Sequence, residues 1–547
     1  MTAKATHTPE SIWMVTREYE GIAGAGGVKD VCRQLAEALV SHAGCRVSVI
    51  LPRYGFMDAL HLGFQLSETG TMAGRIGARR YARIFEVDMD YSGEERREPV
   101  AIWQRDLAGV RLYLIEADRY ASKRGVYTYT EEDEQEVLWQ RRGRGHFDYF
   151  AMNVLLQKTA LDLMMLLDER PDVIHCHDGH AAILPAMMKE NSGYRAYFSR
   201  TGAVVTIHNA GLGYHQEVED LDFAHAVTGL PRRVIHDSIL GSGFDPFLAA
   251  SGYAVLNTVS ENYAVELQQT PEDSRTGWLG HTLLARGIPL AGITNGIDPQ
   301  SFEPSVPQAL QLPQGFNIRS GDLEGKRACK AALLAQLGRV KVWPAVRQHG
   351  ILSGSVDVPL FTFVGRLTAQ KGVDIVLEAL LRLLQRGENL HMLLFGSGAA
   401  ELERQMELLA ESEQGWGKIC FLKGYDPVLA NQVYAAGDFF LIPSRYEPCG
   451  LTDYIAQLLG NLPIVHRVGG LVKVIDGETG FSYTGNSAGA LGETMQRAMG
   501  VYQSGKEAMQ RMQQAAVERI DQQHTWQVVM NAYMELYRDA MQRWQSF

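Results

Sequence analysis

The segment Val364-Gly365-Arg366-Leu367-Thr368-Ala369-Gln370-Lys371-Gly372 sets an arginine and a lysine between a strand-like run and a helix-like run. Two fixed cations beside a helix N-terminus suit a diphosphate, whose leaving-group charge they can stabilise in a transition state; solvated surface charges are the alternative. Pro443-Ser444-Arg445-Tyr446-Glu447-Pro448-Cys449-Gly450-Leu451-Thr452 has the same strand, loop, helix setting. Glu447 can accept there from sugar hydroxyls, while the amides of Gly450, Leu451 and Thr452 face an anion.

The first half holds further candidates. Gly21-Ile22-Ala23-Gly24-Ala25-Gly26-Gly27 follows the first apolar run and leads into a helical pattern. Backbone N–H groups of such a loop can approach an anion, with the helix dipole adding to the attraction; a tight turn needing only glycine backbones is the alternative. A dinucleotide site wants an acidic residue about twenty positions on. The stretch from Ala38 to Met57 contains no Asp or Glu, which disfavours NAD or FAD. Two more runs end in His175-Cys176-His177-Asp178-Gly179-His180 and Thr206-Ile207-His208-Asn209-Ala210-Gly211. The metalloprotease spacing H-E-x-x-H is missing, and strand alternation turns His175 and His177 to one side, so no metal site is expected. Asp178 and His208 read better as a polar pair that hydrogen-bonds sugar hydroxyls, with satisfied structural polar groups as the alternative.

These segments need elements to hold them. Short β-branched runs alternate with helical patterns: Ile12 to Thr16, then Val28 to Ala43, then Arg46 to Leu51, with further strands at Arg111 to Ile115, Asp172 to Cys176, Ala203 to His208 and Ala254 to Ser260. Such alternation marks βαβ units and a parallel sheet. A second series follows: strand Pro359 to Gly365, helix Val373 to Gln385, strands Leu390 to Phe395, Lys418 to Leu422 and Asp438 to Pro443, helix Leu451 to Leu459, strand Pro463 to Val465. The expected fold is α/β, two Rossmann-like doubly wound domains facing a cleft, with the chemistry in loops at the carboxyl ends of the strands. Phe302 to Gly321 and Arg339 to Val358 read as surface excursions. The last helix, His524 to Trp544, puts Trp526, Val529, Ala532, Tyr533, Leu536 and Tyr537 on one stripe that must dock. The expected division is 1–292, 293–522, and a terminal helix in 523–547.

Composition narrows the partners. At 547 residues the chain suggests two domains, and 46% apolar with 21% charged residues is ordinary for a globular protein. A net charge of −11 argues against nucleic acid; the Arg141, Arg142, Arg144 cluster reads as a solvated helix entrance. Six cysteines without a C-x-x-C pair fit a reducing compartment. The stretch Met1 to Ser11 has no apolar core and no run approaches a membrane span, so a cytoplasmic location and no membrane partner are expected.

Taken in order along nearly the whole chain, Pro443 to Thr452, Arg366 to Gly372, His177 to His180, Ile207 to Gly211 and Asn295-Gly296-Ile297-Asp298 closely resemble the bacterial and plant glycogen and starch synthases. The resemblance implies a two-Rossmann (GT-B) architecture and retention of anomeric configuration, with no cofactor and no metal. ADP-glucose would be the usual donor and an α-glucan the acceptor. It also implies roles: Arg366 and Lys371 hold the diphosphate, Tyr425 lies against the base, and Glu447 holds the donor glucose at its anomeric centre. Asp178 and His208 contact the sugar, Gly26 and Gly27 cap the phosphate, and Asn295, Cys449, Gly450, Leu451 and Thr452 complete the donor set. The final helix would return to the N-terminal domain.

The chain departs from the family pattern in places. The family's first-loop lysine is Gly24 here, with Lys29 as a candidate substitute; Gly179 replaces an aromatic, and Lys473 stands where an aspartate is common. These departures keep two other readings in view: a related transferase with another donor or a small acceptor, and a non-catalytic glucan-binding or regulatory homologue.

Overall fold

The computed structural model describes residues 8–545; Met1–His7, the start of the polar N-terminal stretch, lie outside them. The chain forms two compact units. One runs to Gly296 and resumes at Trp526, and the other is Ile297–Thr525, against expected bounds of 292 and 522. The two crossings adjoin: within the second unit Ile297 N–H donates to the His524 carbonyl at 2.9 Å and Ile297 pairs with Thr525 in a parallel bridge.

The first unit is built on an eleven-stranded sheet. Its main path uses Ser11–Val15 (β1), Arg46–Pro52 (β2), Met72–Ile76 (β3), Arg79–Asp88 (β4), Arg97–Leu107 (β5), Val110–Glu116 (β6), Val173–His177 (β7), Gly202–Ile207 (β8), Val255–Thr258 (β9) and Ala291–Gly292 (β10). The order is β10-β9-β8-β7-β1-β2-β6-β5-β4-β3. Pairings from β10 through to β6 are parallel, and β6 to β3 continue antiparallel. The sequence reading did not foresee that antiparallel extension. Of the face Val28, Val31, Leu35, Ala38 and Leu39 that its spacing predicts, helix α1 (Val28–Ser41) buries the last four and leaves Val28 half-buried, and α2 (Tyr149–Leu166) is buried almost all round. The arginines 141, 142 and 144 are exposed just ahead of α2, as a solvated entrance should be.

The second unit holds a seven-stranded sheet of Val346–Gly350 (β11), Leu360–Val364 (β12), His391–Gly396 (β13), Ile419–Gly424 (β14), Phe439–Ile442 (β15), Leu462–His466 (β16) and Phe481–Tyr483 (β17). The order is β11-β14-β13-β12-β15-β16-β17, all parallel except the β11–β14 pair. Buried runs such as Phe439–Ile442 show a sheet covered on both faces. Helix α3 (Val373–Gln385) buries Val373, Val376, Leu380 and Leu383 in the core, each contributing about 1.5–3 kcal/mol. Two surface excursions expected from sequence prove structural. Val346–Gly350 is an edge strand, and Leu310, Leu312, Phe316 and Ile318 are buried in the core beside Tyr434 and Phe440. Proline and glutamine between these apolar residues hid their common face.

The final helix, Trp526–Gln545 (α5, following α4 at Thr452–Leu458), packs on β8 and α1 of the first unit. Trp526, Val529, Tyr533, Leu536 and Tyr537 are buried as expected; Ala532 is exposed, and Met530 and Ala540 join the buried face instead. At Gly202 an added Cβ would stand 2.9 Å from the backbone at Ala540 and Met541, so only glycine lets helix and strand approach this closely. Among the described residues no helix is long and apolar enough to cross a membrane.

Candidate active site

In the second unit the chain leaves β12 towards β13 on one side and leaves β15 towards β16 on the other. The two strands are neighbours, so the loops that follow them splay apart at the point where an open sheet takes its ligands. The loop after β12 carries Arg366 and Lys371, and the loop after β15 carries Ser444 to Gly450 before helix α4 begins. They are bound to each other. Arg445 N–H donates to the Gln370 carbonyl at 2.8 Å, and its guanidinium grips Asp374 through both carboxylate oxygens at 2.8 and 2.6 Å. Gly372, at φ +70°, permits the close approach: a Cβ there would run into the Pro443 carbonyl.

This arrangement brings Lys371 Nζ to 2.5 Å from Glu447 Oε2, which also accepts from Ser444 Oγ at 2.8 Å. The Ser444 carbonyl bonds in turn to His466 Nδ1 at the end of β16. Burial alone would raise the Glu447 pKa, but the Lys371 ammonium, the Ser444 hydroxyl and the nearby Lys473 charge hold it below the usual value. Glu447 is thus a fixed anion. Arg366 is exposed and forms no ion pair among the described residues, which leaves its guanidinium open to an incoming anion. Tyr425 follows β14 and is 68% exposed, its ring nearly parallel to that of Phe395 at 6.4 Å, a face available to a flat base. Cys449 and Gly450 are buried, while Leu451 and Thr452 are partly open.

The first unit repeats the topology. The chain leaves neighbouring strands β1 and β7 to opposite sides, and the loops that follow are the glycine-rich one and the Asp178 one. Here the structure revises two sequence expectations. Glu18 Oε2 accepts from the amides of Ala25 (2.6 Å) and Gly26 (3.0 Å), so the Gly26 N–H expected to cap a phosphate is occupied by the protein's own carboxylate. Gly27 is the N-cap of α1. Lys29, the candidate substitute for the missing lysine, pairs with Glu20 and Asp30, and its side chain crosses the face of Gly24. Its charge is already neutralised.

Asp178 sits at φ +57°, a left-handed conformation Asp tolerates better than most residues. Its Oδ1 accepts the backbone N–H groups of His208 at 2.7 Å and Asn209 at 3.3 Å. Burial nonetheless pushes its pKa up to about 8. Burial also depresses His208 and His175 to about 3, and His177 well below its usual value, so all three imidazoles are neutral. His177 Nδ1 lies 2.9 Å from His208 Nε2. Thr206 Oγ1 donates to Asn257 and therefore accepts from His175 Nε2, which leaves His175 Nδ1 to accept from the Tyr537 hydroxyl at 2.9 Å. This polar chain ties α5 to the sheet directly behind Asp178 and His208. Among the described residues no group of three or more His, Cys, Asp or Glu is arranged to hold a metal ion. Asn295, also in this unit, is buried with its Oδ1 unpartnered.

Sequence reasoning missed Arg17 and Glu18. Arg17 is buried and donates to Tyr54 (3.1 Å), Asn153 (3.2 Å) and the Val126 carbonyl, beneath the Tyr127 ring. The available signal was Thr16-Arg17-Glu18, two charges immediately after an apolar strand at a switch point.

Residues 11–281 match the starch synthase catalytic domain and residues 350–519 the glycosyl transferases group 1 family. A glycogen synthase of Streptococcus gordonii is 32% identical over 540 residues, spanning 97% of this chain and 100% of the relative. The chain belongs to the glycogen and starch synthase family. Another glycogen synthase, from Geotalea daltonii, is 32% identical over 96% of this chain and 98% of its own length. The catalytic domain of starch synthase IV from Arabidopsis thaliana, solved with ADP and acarbose, aligns with a TM-score of 0.76 at 25% identity, over 98% of this chain and all of that one. The protein is thus a glycosyltransferase of the glucan-synthase type, using a nucleotide-sugar donor and a glucan acceptor. Its two doubly wound units are those of the GT-B class.

Proposed function

We propose that this synthase transfers glucose from ADP-glucose to the 4-hydroxyl at the end of an α-glucan, with retention of configuration and without a metal. The reading rests above all on the Lys371–Glu447 contact at the switch point of the second unit, which sets a cation and an anion at the ends of two loops held rigidly together. Arg366 and Lys371 balance the leaving diphosphate. Glu447 accepts from the glucose hydroxyls and faces the positive charge that develops at the anomeric carbon. The departing diphosphate takes the proton of the incoming hydroxyl on the same face of the sugar. Tyr425 presents its exposed ring to the base. Asp178 and His208 hold sugar hydroxyls from the first unit, where Asp178 carries a proton at neutral pH and can donate as well as accept.

Lys371 must exchange part of its bond to Glu447 for the diphosphate when donor binds. The resting ion pair keeps both groups in place until then, at the cost of that exchange.

Purified protein incubated with labelled ADP-glucose or UDP-glucose and glycogen tests the reading. Label should enter the polymer faster from ADP-glucose, and the product bond should be cleaved by an α-1,4-specific amylase. Preference for UDP-glucose would overturn the donor assignment; failure with both donors would overturn the activity. Transfer that persists unchanged with a chelator present is expected, and loss that an added divalent cation restores would refute the metal-free scheme.

A further inference from the structure

The short turn Gly469–Lys473 packs beneath the loop that carries Glu447. Gly470 N–H donates to the carbonyls of Glu447 (3.0 Å) and Pro448 (3.1 Å). At the end of this turn Lys473 is buried, with Nζ 2.6 Å from the Cys449 carbonyl, 2.7 Å from the Gly450 carbonyl and 3.1 Å from Asp453 Oδ1. The Tyr454 ring centroid lies 4.3 Å away and covers another side. The ammonium donates to the two carbonyls, and the Asp453 carboxylate lies beside it as the counter-charge.

All peptide bonds of the described chain are trans. In a trans peptide the carbonyl and the N–H point in opposite directions. With the Cys449 carbonyl turned onto Lys473, the N–H of Gly450 must face away from it. With the Gly450 carbonyl turned the same way, so must the N–H of Leu451. Neither N–H is used in a hydrogen bond among the described residues. A cation on the carbonyl side of a peptide also polarises it, which strengthens the N–H as a donor.

We infer that Lys473 is a positioning residue for glucosyl transfer: it orients and polarises the Cys449–Gly450 and Gly450–Leu451 peptides so that their N–H groups meet the donor's diphosphate. The inference rests on the reading of this loop as the donor site. It also gives a use to a residue that departs from the family pattern. The first loop carries no cation at Gly24 and spends its Ala25 and Gly26 amides on Glu18. Lys473 acts on donors of the second unit, the one that carries Arg366 and Lys371. Asp453 keeps the buried ammonium paired.

Lys473→Met alone strands the Asp453 carboxylate in the interior, so the informative variant is Lys473→Met with Asp453→Leu, which removes both charges together. Lys473→Gln, which keeps one donor, is measured beside it. ADP and UDP binding by calorimetry, melting temperature, and steady-state transfer to glycogen are compared with the wild type. Expected for the double variant are a melting point within a few degrees of wild type, nucleotide binding weakened at least about tenfold, a raised donor KM and a lowered kcat, with the glycogen KM unchanged. Lys473→Gln should fall between the two. Wild-type nucleotide affinity and kcat in both variants would overturn the inference, and so would donor and glycogen affinities that weaken together. A wild-type protein that binds neither nucleotide overturns the functional reading, and the inference with it.

Discussion

Glu447→Gln separates charge from shape at the centre of the second unit. Glutamine fills the same volume and can still accept from Ser444, but it gives Lys371 a neutral partner in place of an anion at 2.5 Å. A hydrogen bond to a charged group is worth about 1.5–3 kcal/mol. The Lys371 side chain is 23% exposed, so water compensates in part and the lower end applies. At about 2–4 °C per kcal/mol for a domain of this size, melting should fall by roughly 3–6 °C. The kinetic effect is larger, because a preorganised group facing developing charge typically supplies about 10²–10³ in kcat. Lys371, released from its carboxylate, should hold the nucleotide at least as well as before. Turnover at saturating donor should therefore drop by at least about 10² while ADP binding, read by calorimetry, does not weaken. Unchanged turnover would refute the placement of Glu447 at the reacting centre. A parallel loss of ADP affinity would show that it only holds the loop in shape.

Other expectations follow from the same geometry. Arg366→Ala should raise the donor KM and also lower kcat by at least about tenfold, since the diphosphate gains charge as it leaves; unchanged kcat would remove Arg366 from that contact. The histidines at 175, 177, 180 and 208 are buried neutral with depressed pKa values, so the unfolded chain takes up their protons below about pH 6.5 and stability falls as the pH falls. Asp178, raised to about 8, acts in the opposite sense, holding a proton that the unfolded chain releases above about pH 4. The four histidines outnumber it, so the net effect is a loss of stability as the pH falls below about 6.5. Denaturant midpoints for the first unit that do not change between pH 7 and 5 would contradict this. Glu18→Ala should speed hydrogen exchange at the Ala25 and Gly26 amides at least about tenfold, and rates equal to wild type would show that Glu18 does not hold them. Tyr537→Phe leaves His175 Nδ1 without its donor and should cost about 1–3 kcal/mol, read as a lowered melting temperature.

The parts of the fold visible in the sequence were those carried by local periodicity. Apolar strand runs and the α1 and α3 spacings marked both doubly wound units, and the strand ends marked Arg366, Lys371, Asp178, His208 and Glu447. Strands β3 to β5 escaped because their exposed faces interrupt the apolar pattern with charge, and β11 because an edge strand of Val-Arg-Gln-His-Gly has little apolar signature. At the site, spacing could place Gly26 in a loop but not reveal that Glu18 folds back onto its amide. Lys473 was visible only as an unusual residue. Its partners, Cys449, Gly450, Asp453 and Tyr454, lie well before it in the sequence, and only the packing of one turn under another brings them together.

The pairing of Ile297 with Thr525 means that the second unit enters and leaves the chain at a single point, as a complete insertion within the first. A nascent chain therefore meets its two folding problems in reverse order. By Thr525 the inserted unit has every strand and helix it needs, and can close while the first still lacks α5. The first unit, begun earlier, waits for the last helix to bring Trp526, Tyr533 and Tyr537 into its core and to give His175 its hydroxyl partner. The polar chain behind Asp178 and His208 is thus completed only after the inserted unit has been made, and a ribosome that stops at the end of that unit leaves it without its hydroxyl partner.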